Sequence, residues 1–350
     1  MITLEIKVNS GSYHVYIGES YKNMPSYVKK ISQGQKVFVV SDSNVFPLYG
    51  GEAVSALQEA GFDASSHIIP AGEGHKRLAT IERLYEAFHQ HGLTRTDLII
   101  ALGGGVVGDM TGFAAGTYLR GVPYIQVPTT LLAQIDSSVG GKTGVDTDYG
   151  KNLVGLFNQP AAVLIDPSVL RTLAPQVFAD GMAEAIKYGL IRDAELYRRI
   201  LYGEFKEDVT ELIYDCIAIK NSIVSLDERD QGERMLLNFG HTLGHAIEKC
   251  GNFEKYTHGQ AVAIGMVYAA AIGENLGVTA AGTKEDIILI LRKYGLPTHT
   301  EEDKDQIFKA LLSDKKKSGD TVSFVLLKSI GEGIIYPIST GELKDQLFKL

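Results

Sequence analysis

The sequence predicts an α/β, Rossmann-like N-terminal domain followed by a mostly α-helical C-terminal domain. In the first half, short runs rich in β-branched residues alternate with helical patterns, which is typical of a parallel sheet covered by helices. One apolar run ends in a glycine-rich turn, Gly103-Gly104-Gly105. After Pro175, long amphipathic helical periods replace the strand signals. We therefore expect two domains, residues 1–175 and residues 176–350.

Each predicted element rests on the period of its apolar residues. The strands predicted in the first domain are Thr3–Val8, Val37–Ser41, Ser66–Ile69, Leu98–Leu102 and Val163–Ile165. Helical patterns in this domain cover Val45–Ala60 and Leu78–His91. The helices predicted in the second domain are Phe178–Leu190, Glu207–Leu226, Asn238–Lys249, Gln260–Leu276 and Lys284–Tyr294, and one strand is predicted at Val322–Leu327.

The composition excludes several classes of protein. The 350 residues suffice for two hydrophobic cores. The net charge of −8 argues against nonspecific binding of nucleic acid, which needs a basic surface. Cys216 and Cys250 form no CxxC pair or disulfide framework, which fits a reducing compartment. The first residues do not resemble a signal peptide, and no apolar run reaches the roughly 18 residues of a membrane span. We expect a cytoplasmic protein that binds neither nucleic acid nor membrane.

The glycine-rich turn is a candidate dinucleotide site. Gly103-x-Gly105-x-x-Gly108 follows an apolar strand and opens a helical pattern, as a dinucleotide-phosphate turn requires. Glycines let the backbone approach a pyrophosphate, and the helix N-terminus offers free N–H groups to it. The alternative is a tight strand-to-helix turn that binds nothing. No acidic residue ends a strand about 20 residues later, so Asp42, upstream, is the candidate partner of the ribose.

Histidines and an acid form a candidate metal site. His241 and His245 are four residues apart in a predicted helix and project from one face. Together with Glu184 and His258 they offer the ligands of a catalytic divalent metal, which keeps one position open. Thr242 stands where the helix of a metalloprotease carries glutamate, so peptide hydrolysis is not expected. The alternative is a helix with two exposed polar histidines, because spacing alone does not bring the four residues together.

Cations within apolar segments indicate an anionic ligand. A buried cation is costly unless it is paired, and phosphate or carboxylate would pair with several at once. Lys187 follows Glu184 by one helical turn and shares its face. The alternative for each is an ordinary surface residue. The cations concerned are Arg120, Lys142, Lys187, Lys220 and Arg234.

The sequence resembles the 3-dehydroquinate synthase family, a family of sugar-phosphate cyclases, over nearly its whole length. The resemblance rests on Gly103–Asp109, Val127–Gly144, Lys151-Asn152, Gly181–Gly189 and Asn238–Glu248. It implies an NAD-binding domain, a helical metal-binding domain, an active site between them and a homodimer. It also implies a lyase of the shikimate pathway, which leads to aromatic amino acids. This lyase converts 3-deoxy-D-arabino-heptulosonate 7-phosphate into 3-dehydroquinate and phosphate.

The resemblance also implies the roles of individual residues. Zn²⁺ or Co²⁺ would be held by Glu184, His241 and His258, whereas His245 matches a catalytic histidine beside the metal. The other catalytic residues would be Lys142 and Asp230, the latter at a position where related enzymes can carry glutamate. NAD contacts are implied for Asp42, Asn44, Glu73, Lys76, Gly104, Gly105, Val106, Asp109, Thr129, Thr130, Lys151, Leu170 and Thr172. Substrate contacts are implied for Arg120, Asp136, Lys142, Asn152, Lys187, Lys220, Arg234, Asn238 and a lysine of the run 315–317, taken as Lys316.

The implied reaction uses NAD⁺ as a recycled catalyst. Transient oxidation at carbon 5 acidifies the proton on carbon 6, so phosphate leaves by elimination; reduction, ring opening and aldol closure follow. Three rivals remain at this point: a cyclase of another sugar phosphate, a metal-dependent alcohol or glycerol dehydrogenase, and a noncatalytic NAD-binding paralogue. A dehydrogenase would accumulate NADH, whereas a cyclase would release phosphate with no net NADH. A noncatalytic paralogue would be expected to lose metal ligands or phosphate-site lysines, and this sequence keeps them.

Overall fold

The chain forms two compact units, Met1–Leu173 and Ala174–Leu350. The structure, a computed structural model, describes residues 1–9, 11–205, 208–228, 232–315 and 320–350, without the side chains of residues 313–315. Each unit has its own sheet or hairpin and its own helices, and they are described in turn.

The described residues of the first unit form nine strands. They are β1 (Ile2–Val8), β2 (Gly11–Ile17), β3 (Lys36–Asp42), β4 (Asp63–Ile69), β5 (Leu98–Gly103), β6 (Tyr124–Pro128), β7 (Lys142–Thr147), β8 (Gly150–Phe157) and β9 (Ala162–Ile165). Seven of them form one sheet in the order β1-β2-β9-β6-β5-β3-β4. Within it β1 and β2 pair antiparallel, and the other neighbours pair parallel. The strands β7 and β8 form a separate antiparallel hairpin.

Helices cover both faces of this sheet. They are α1 (Met24–Ile31), α2 (Gly51–Glu59), α3 (Leu78–Gln90) and α4 (Gly105–Thr117). Leu98 and Ile100 of β5 pack in one cluster with residues of α1 and α2. Ile99, between them, packs in the other cluster with residues of α3 and α4. Because successive side chains of a strand point to opposite faces, this strand is apolar throughout. The predicted Rossmann-like α/β fold is confirmed.

The order of the strands creates a switch point between β3 and β5. From β3 the chain adds β4 on one side, and then β5 and β6 on the other. Parallel α/β sheets bind ligands beyond the carboxyl ends of their strands at such a point. The strand β3 ends at Asp42 and β5 ends at Gly103. The fold therefore places the glycine-rich turn and Asp42 at the expected ligand edge.

The second unit is mostly helical. Its helices are α5 (Pro175–Arg192), α6 (Ala194–Tyr202), α7 (Thr210–Val224), α8 (His241–Cys250), α9 (His258–Asn275), α10 (Thr283–Lys293), α11 (Lys304–Lys315) and α12 (Thr340–Lys349), with a hairpin of β10 (Thr321–Ser329) and β11 (Glu332–Ser339). The helix α9 is buried on almost every side and packs against α5, α8 and α10. A helix that is apolar all round belongs in a core. In the described ranges, no helix has both the length and the apolar character needed to cross a bilayer.

Three predicted helices were wrong at their first turns. The helix expected over Glu207–Leu226 is α7, Thr210–Val224, because residues 208 and 209 are not helical. The helix expected from Asn238 begins at His241, because Gly240 takes a left-handed conformation with φ 79° after the 3₁₀ segment Glu233–Asn238. The helix expected from Val45 starts as a π-helical turn, Phe46–Gly50, before α2. The elements that the sequence did not predict are α1, α6, α11, α12, β2, β6, β7, β8 and β11.

Candidate active site

Three predicted ligands converge in the second unit. Glu184 lies in the middle of α5, while His241 and His258 are the first residues of α8 and α9. Glu184 Oε1 is 3.2 Å from His241 Nε2 and 3.4 Å from His258 Nε2. The two imidazole centroids are 5.2 Å apart. Two nitrogens and one carboxylate oxygen thus face a common point.

The start of α9 is fixed against α5. Thr257 caps α9 with its side chain, and Gln260 completes a capping box. The Thr257 hydroxyl also donates to the carboxylate of Asp180, one helical turn before Glu184. Gly259 permits this approach, because a Cβ there would lie 2.4 Å from the Asp180 Cα. These contacts hold His258 at the level of Glu184.

The cluster fits a divalent cation. Glu184 is 1% exposed; its Oε2 accepts from Lys187, whereas Oε1 has no hydrogen-bond partner among the described residues. A buried carboxylate oxygen that faces two imidazole nitrogens without a hydrogen bond is the arrangement that a metal completes. His241 Nδ1 lies 3.2 Å from the Phe239 carbonyl, which assigns the ring proton to Nδ1 and leaves Nε2 for a metal.

The charged groups of this cluster shift one another's pKa values. Burial alone would raise the pKa of Glu184, but the Lys187 ammonium and His241 hold it well below its usual range. Burial alone would lower the pKa of His258, but Glu184 and Glu248 raise it to about 10. His245 is exposed beside these groups, with its ring centroid 5.5 Å from that of His241 and 6.0 Å from that of His258. An imidazole at this place can carry a proton to or from a bound ligand.

Buried cations lie on neighbouring elements of the second unit. Lys187, Lys220 and Arg234 are 2%, 5% and 2% exposed. Their elements, α5, α7 and the 3₁₀ segment Glu233–Asn238, pack against one another. Arg234 donates to the Glu228 carbonyl at 2.6 Å. Asn238 ends the same segment and is partly buried. The predicted residues Asp230 and Lys316 lie outside the described residues.

The glycine-rich turn has the form of a phosphate-binding turn. The cap of α4 is Gly104, which makes no side-chain cap to the first N–H groups of the helix. Gly108 lets α4 pack closely on β6, because a Cβ would lie 2.5 Å from the Gln126 Oε1. The Thr129 N–H donates to the Gly103 carbonyl at 3.0 Å, so Thr129 and Thr130 border the turn. The turn therefore has the open N–H groups and close helix packing that a pyrophosphate requires.

Five further predicted residues form one polar cluster. The Lys76 ammonium is buried and donates at 2.6 Å both to Asp109 and to the Asn152 side-chain oxygen. Glu73 lies 3.9 Å from Lys76 and 3.8 Å from Lys151. Burial would lower the pKa of Lys76, but Asp109 and Glu73 raise it above its usual value. The structure thus links residues assigned to NAD with Asn152, which is assigned to the substrate.

The remaining NAD candidates lie at or just after the carboxyl ends of β3, β5 and β9. Asp42 ends β3, and its carboxylate accepts from the Asn44 N–H at 2.8 Å. Val106 is partly buried in the first turn of α4. Leu170 and Thr172 follow β9, and the Thr172 hydroxyl is 2.6 Å from that of Tyr49.

Three substrate candidates of the first unit lie on separate elements. Arg120 is exposed after α4 in the left-handed region, with φ 66°. Asp136 lies in a π-helical turn, Ala133–Ser137, and Lys142 is exposed at the start of β7. The expectation of a buried cation was therefore wrong for Arg120 and Lys142, which are both exposed. The roles of these three residues stay proposals.

Sequence reasoning missed two carboxylates near the imidazoles. Asp180 holds Thr257, as described, and Glu248 Oε2 is 3.6 Å from His258 Nδ1. A signal for Glu248 was present, because His241, His245 and Glu248 follow the i, i+4, i+7 spacing of one helical face. No comparable signal in the sequence relates Asp180 to the start of a distant helix.

A dinucleotide-type turn in an α/β unit and a histidine–carboxylate metal cluster in a helical unit define the class of metal-dependent enzymes that use a dinucleotide. Two family models match the chain: "3-dehydroquinate synthase N-terminal" at residues 66–180 and "3-dehydroquinate synthase C-terminal" at residues 181–317. The chain belongs to the 3-dehydroquinate synthase family, which confirms the resemblance.

Individual relatives agree with the family models. A 3-dehydroquinate synthase of Clostridium acetobutylicum is 45% identical over 98% of each chain. A solved 2-deoxy-scyllo-inosose synthase, with carbaglucose-6-phosphate, NAD⁺ and Co²⁺, is 29% identical, with a TM-score of 0.87 over 99% of this chain and 100% of its own. A 2-epi-5-epi-valiolone synthase from Streptomyces hygroscopicus, with NAD⁺ and Zn²⁺, is 26% identical, with a TM-score of 0.88 over 98% of each chain.

Proposed function

We propose that the chain converts 3-deoxy-D-arabino-heptulosonate 7-phosphate into 3-dehydroquinate and phosphate, as a lyase of the shikimate pathway. The observation that carries the proposal is the 45% identity over 98% of both chains to a 3-dehydroquinate synthase. The cyclases of other sugar phosphates share the fold at 29% and 26% identity. The heptulosonate is therefore a better substrate candidate than the sugar phosphates of those enzymes.

The cofactors are NAD and a divalent metal, Zn²⁺ or Co²⁺. Glu184, His241 and His258 hold the metal, and the carboxyl ends of β3, β5 and β6 hold NAD. When bound, NAD supplies a reversible oxidation of the substrate alcohol, and the metal supplies positive charge that makes this alcohol more acidic. The Lys187 ammonium keeps Glu184 ionised and oriented. His245 holds or moves a proton beside the metal, with Lys142 and Asp230 as further catalytic groups.

The substrate carries a phosphate at one end and a carboxylate at the other, and the remaining predicted residues are assigned to these two groups. From their charge and the resemblance to the family, we assign Lys142, Asn152, Lys187, His245 and Lys316 to the phosphate, and Lys220 and Arg234 to the carboxylate. Asn152 can act as a donor to phosphate, because its side-chain oxygen already accepts from Lys76 and its amide group remains to donate. Lys220 and Arg234 are almost fully buried, and charge-assisted hydrogen bonds to a carboxylate are strong in such surroundings.

The decisive experiment follows two products at once. Metal-loaded protein is incubated with the heptulosonate phosphate and NAD⁺ far below the substrate concentration. We expect inorganic phosphate and 3-dehydroquinate to form in equal amounts, many times per NAD⁺, with no accumulation of NADH. Accumulating NADH without phosphate would establish a dehydrogenase instead. Equal turnover of a sugar phosphate that lacks the carboxylate would contradict the assigned substrate.

The assembly and the compartment are part of the proposal. The chain acts as a homodimer in the cytoplasm, as the resemblance to the family implies, and a sequence with two cysteines and no CxxC pair fits a reducing compartment. Light scattering across a concentration series tests the dimer, and a constant mass of one chain would contradict it. Cell fractionation with an antibody against the chain tests the compartment.

A further inference from the structure

Glu248 is a buried carboxylate that has no role in the proposed chemistry. It lies on α8, one helical turn after His245, and is 1% exposed. Its Oε2 is 3.6 Å from His258 Nδ1, the ring nitrogen that faces away from Glu184. Ligand atoms of His245, Glu248 and His258 all lie within 4.8 Å of one another. A charged group is buried at this place although a carboxylate is costly to bury.

The imidazoles of His241 and His258, the two candidate ligands, are oriented in the same way. His241 turns Nε2 toward Glu184 and Nδ1 toward the Phe239 carbonyl, 3.2 Å away. His258 turns Nε2 toward Glu184 and Nδ1 toward Glu248. An acceptor at one ring nitrogen holds the proton there and frees the other nitrogen for a metal. At His241 Nδ1 the group is a neutral carbonyl within hydrogen-bond distance, and at His258 Nδ1 it is a carboxylate charge 3.6 Å away.

We propose that Glu248 is a positioning residue that fixes the tautomer and orientation of His258 as a metal ligand. The inference rests on the proposed metal site and extends it to a residue outside the three ligands. At 3.6 Å the two atoms are too far apart for a direct hydrogen bond, so Glu248 acts through its charge. That charge favours the proton on Nδ1 and increases the electron density on Nε2. Loss of such a partner typically weakens metal binding by roughly 10- to 100-fold.

The test compares zinc affinity in two charge-removing variants. Glu248→Gln keeps the shape of the buried side chain and removes its charge. Glu254→Gln, on the exposed loop after α8, removes the same charge at the surface and is the matched control. Zinc affinity is measured by competition with a chromophoric chelator, and the visible spectrum of the Co²⁺-substituted protein reports the ligand geometry. Thermal unfolding of the metal-free variants shows whether the fold is intact.

We expect Glu248→Gln to bind zinc roughly 10- to 100-fold more weakly, with an altered Co²⁺ spectrum and unchanged metal-free unfolding. Glu254→Gln should match wild type in all three. Zinc affinity of Glu248→Gln within twofold of wild type would overturn the inference, as would a loss matched by lower stability of the metal-free protein. If Glu248→Gln yields no folded protein, Glu248→Asp replaces it, because aspartate retracts the carboxylate by one methylene. The zinc affinity of Glu248→Asp must then also fall below that of wild type.

A third variant separates this inference from the proposed site. Glu184→Gln removes a candidate ligand and should weaken zinc binding more than Glu248→Gln does. If Glu184→Gln binds zinc as wild type does, the proposed metal site itself is wrong. If Glu184→Gln loses zinc and Glu248→Gln does not, only the role of Glu248 is wrong.

Discussion

The junction of α9 and α5 offers a sharp test of the metal site, through the substitution Gly259→Ala. An alanine Cβ would lie 2.4 Å from the Asp180 Cα and 2.7 Å from its carbonyl oxygen. Carbon atoms pack at about 3.5 Å, so the start of α9 must move by about 1 Å. His258 precedes Gly259 directly and moves with it. Metal–ligand distances tolerate only about 0.2 Å, so a shift of this size should break the ligand geometry.

We expect Gly259→Ala to weaken zinc binding at least about tenfold and to lower turnover about 100-fold, since a misplacement near 1 Å can cost that much. The control is Gly341→Ala in α12 of the same unit, where a Cβ would meet nothing within 4 Å. Zinc affinity is measured by chelator competition and turnover by phosphate release. Zinc affinity of Gly259→Ala within twofold of the control would refute the argument that this contact sets the position of His258.

Two further predictions concern the histidines. His245→Ala should retain its zinc, because Glu184, His241 and His258 remain, but lose turnover; metal analysis and phosphate release check this, and a metal-free variant would make His245 a ligand. Zinc affinity should rise with pH. The pKa of His258 is about 10 without metal, so zinc must displace its proton, and each pH unit from 7 to 9 should strengthen binding about tenfold. By the same linkage, metal-free stability due to protonated His258 is complete below pH 6.5 and is lost as pH rises through about 10. Equal zinc affinities at pH 7 and pH 9, measured by competition, would contradict the exchange of zinc for this proton.

Much of the fold follows from local patterns in the sequence. The strand β5 and the turn after it were predictable, because an apolar run ending in Gly103-Gly104-Gly105 has few other structures available. The hairpin of β7 and β8 was not predicted. Its glycines Gly144 and Gly155 face each other, where a Cβ on either would meet the opposite backbone, and glycine weakens the strand signal. The need for glycine at these two positions arises only when β7 and β8 pair, so neither segment shows it by itself.

In the candidate site, too, the sequence predicted relations within one helix but not contacts between helices. Helical spacing correctly placed His241 and His245 on one face of α8, with ring centroids 5.5 Å apart. Spacing could not decide which of them faces a metal, because the carboxylate of Glu184 comes from another helix. The structure brings Glu184 to His241 and leaves His245 exposed beside the cluster. The role of Glu248 also depends on α9, which the face of α8 alone does not reveal.

The buried pair of Glu184 and Lys187 has a consequence for the sequence of binding events. In the metal-free state, three carboxylates (Glu184, Glu248 and Asp180), the Lys187 ammonium and the protonated His258 imidazole share this region, and their formal charges sum to −1. A divalent cation that displaces the imidazole proton raises this sum by one, to zero. A sugar phosphate then no longer meets the excess negative charge of the region. Metal loading thus prepares the unit for its anionic ligand, and the ion should enter before the sugar.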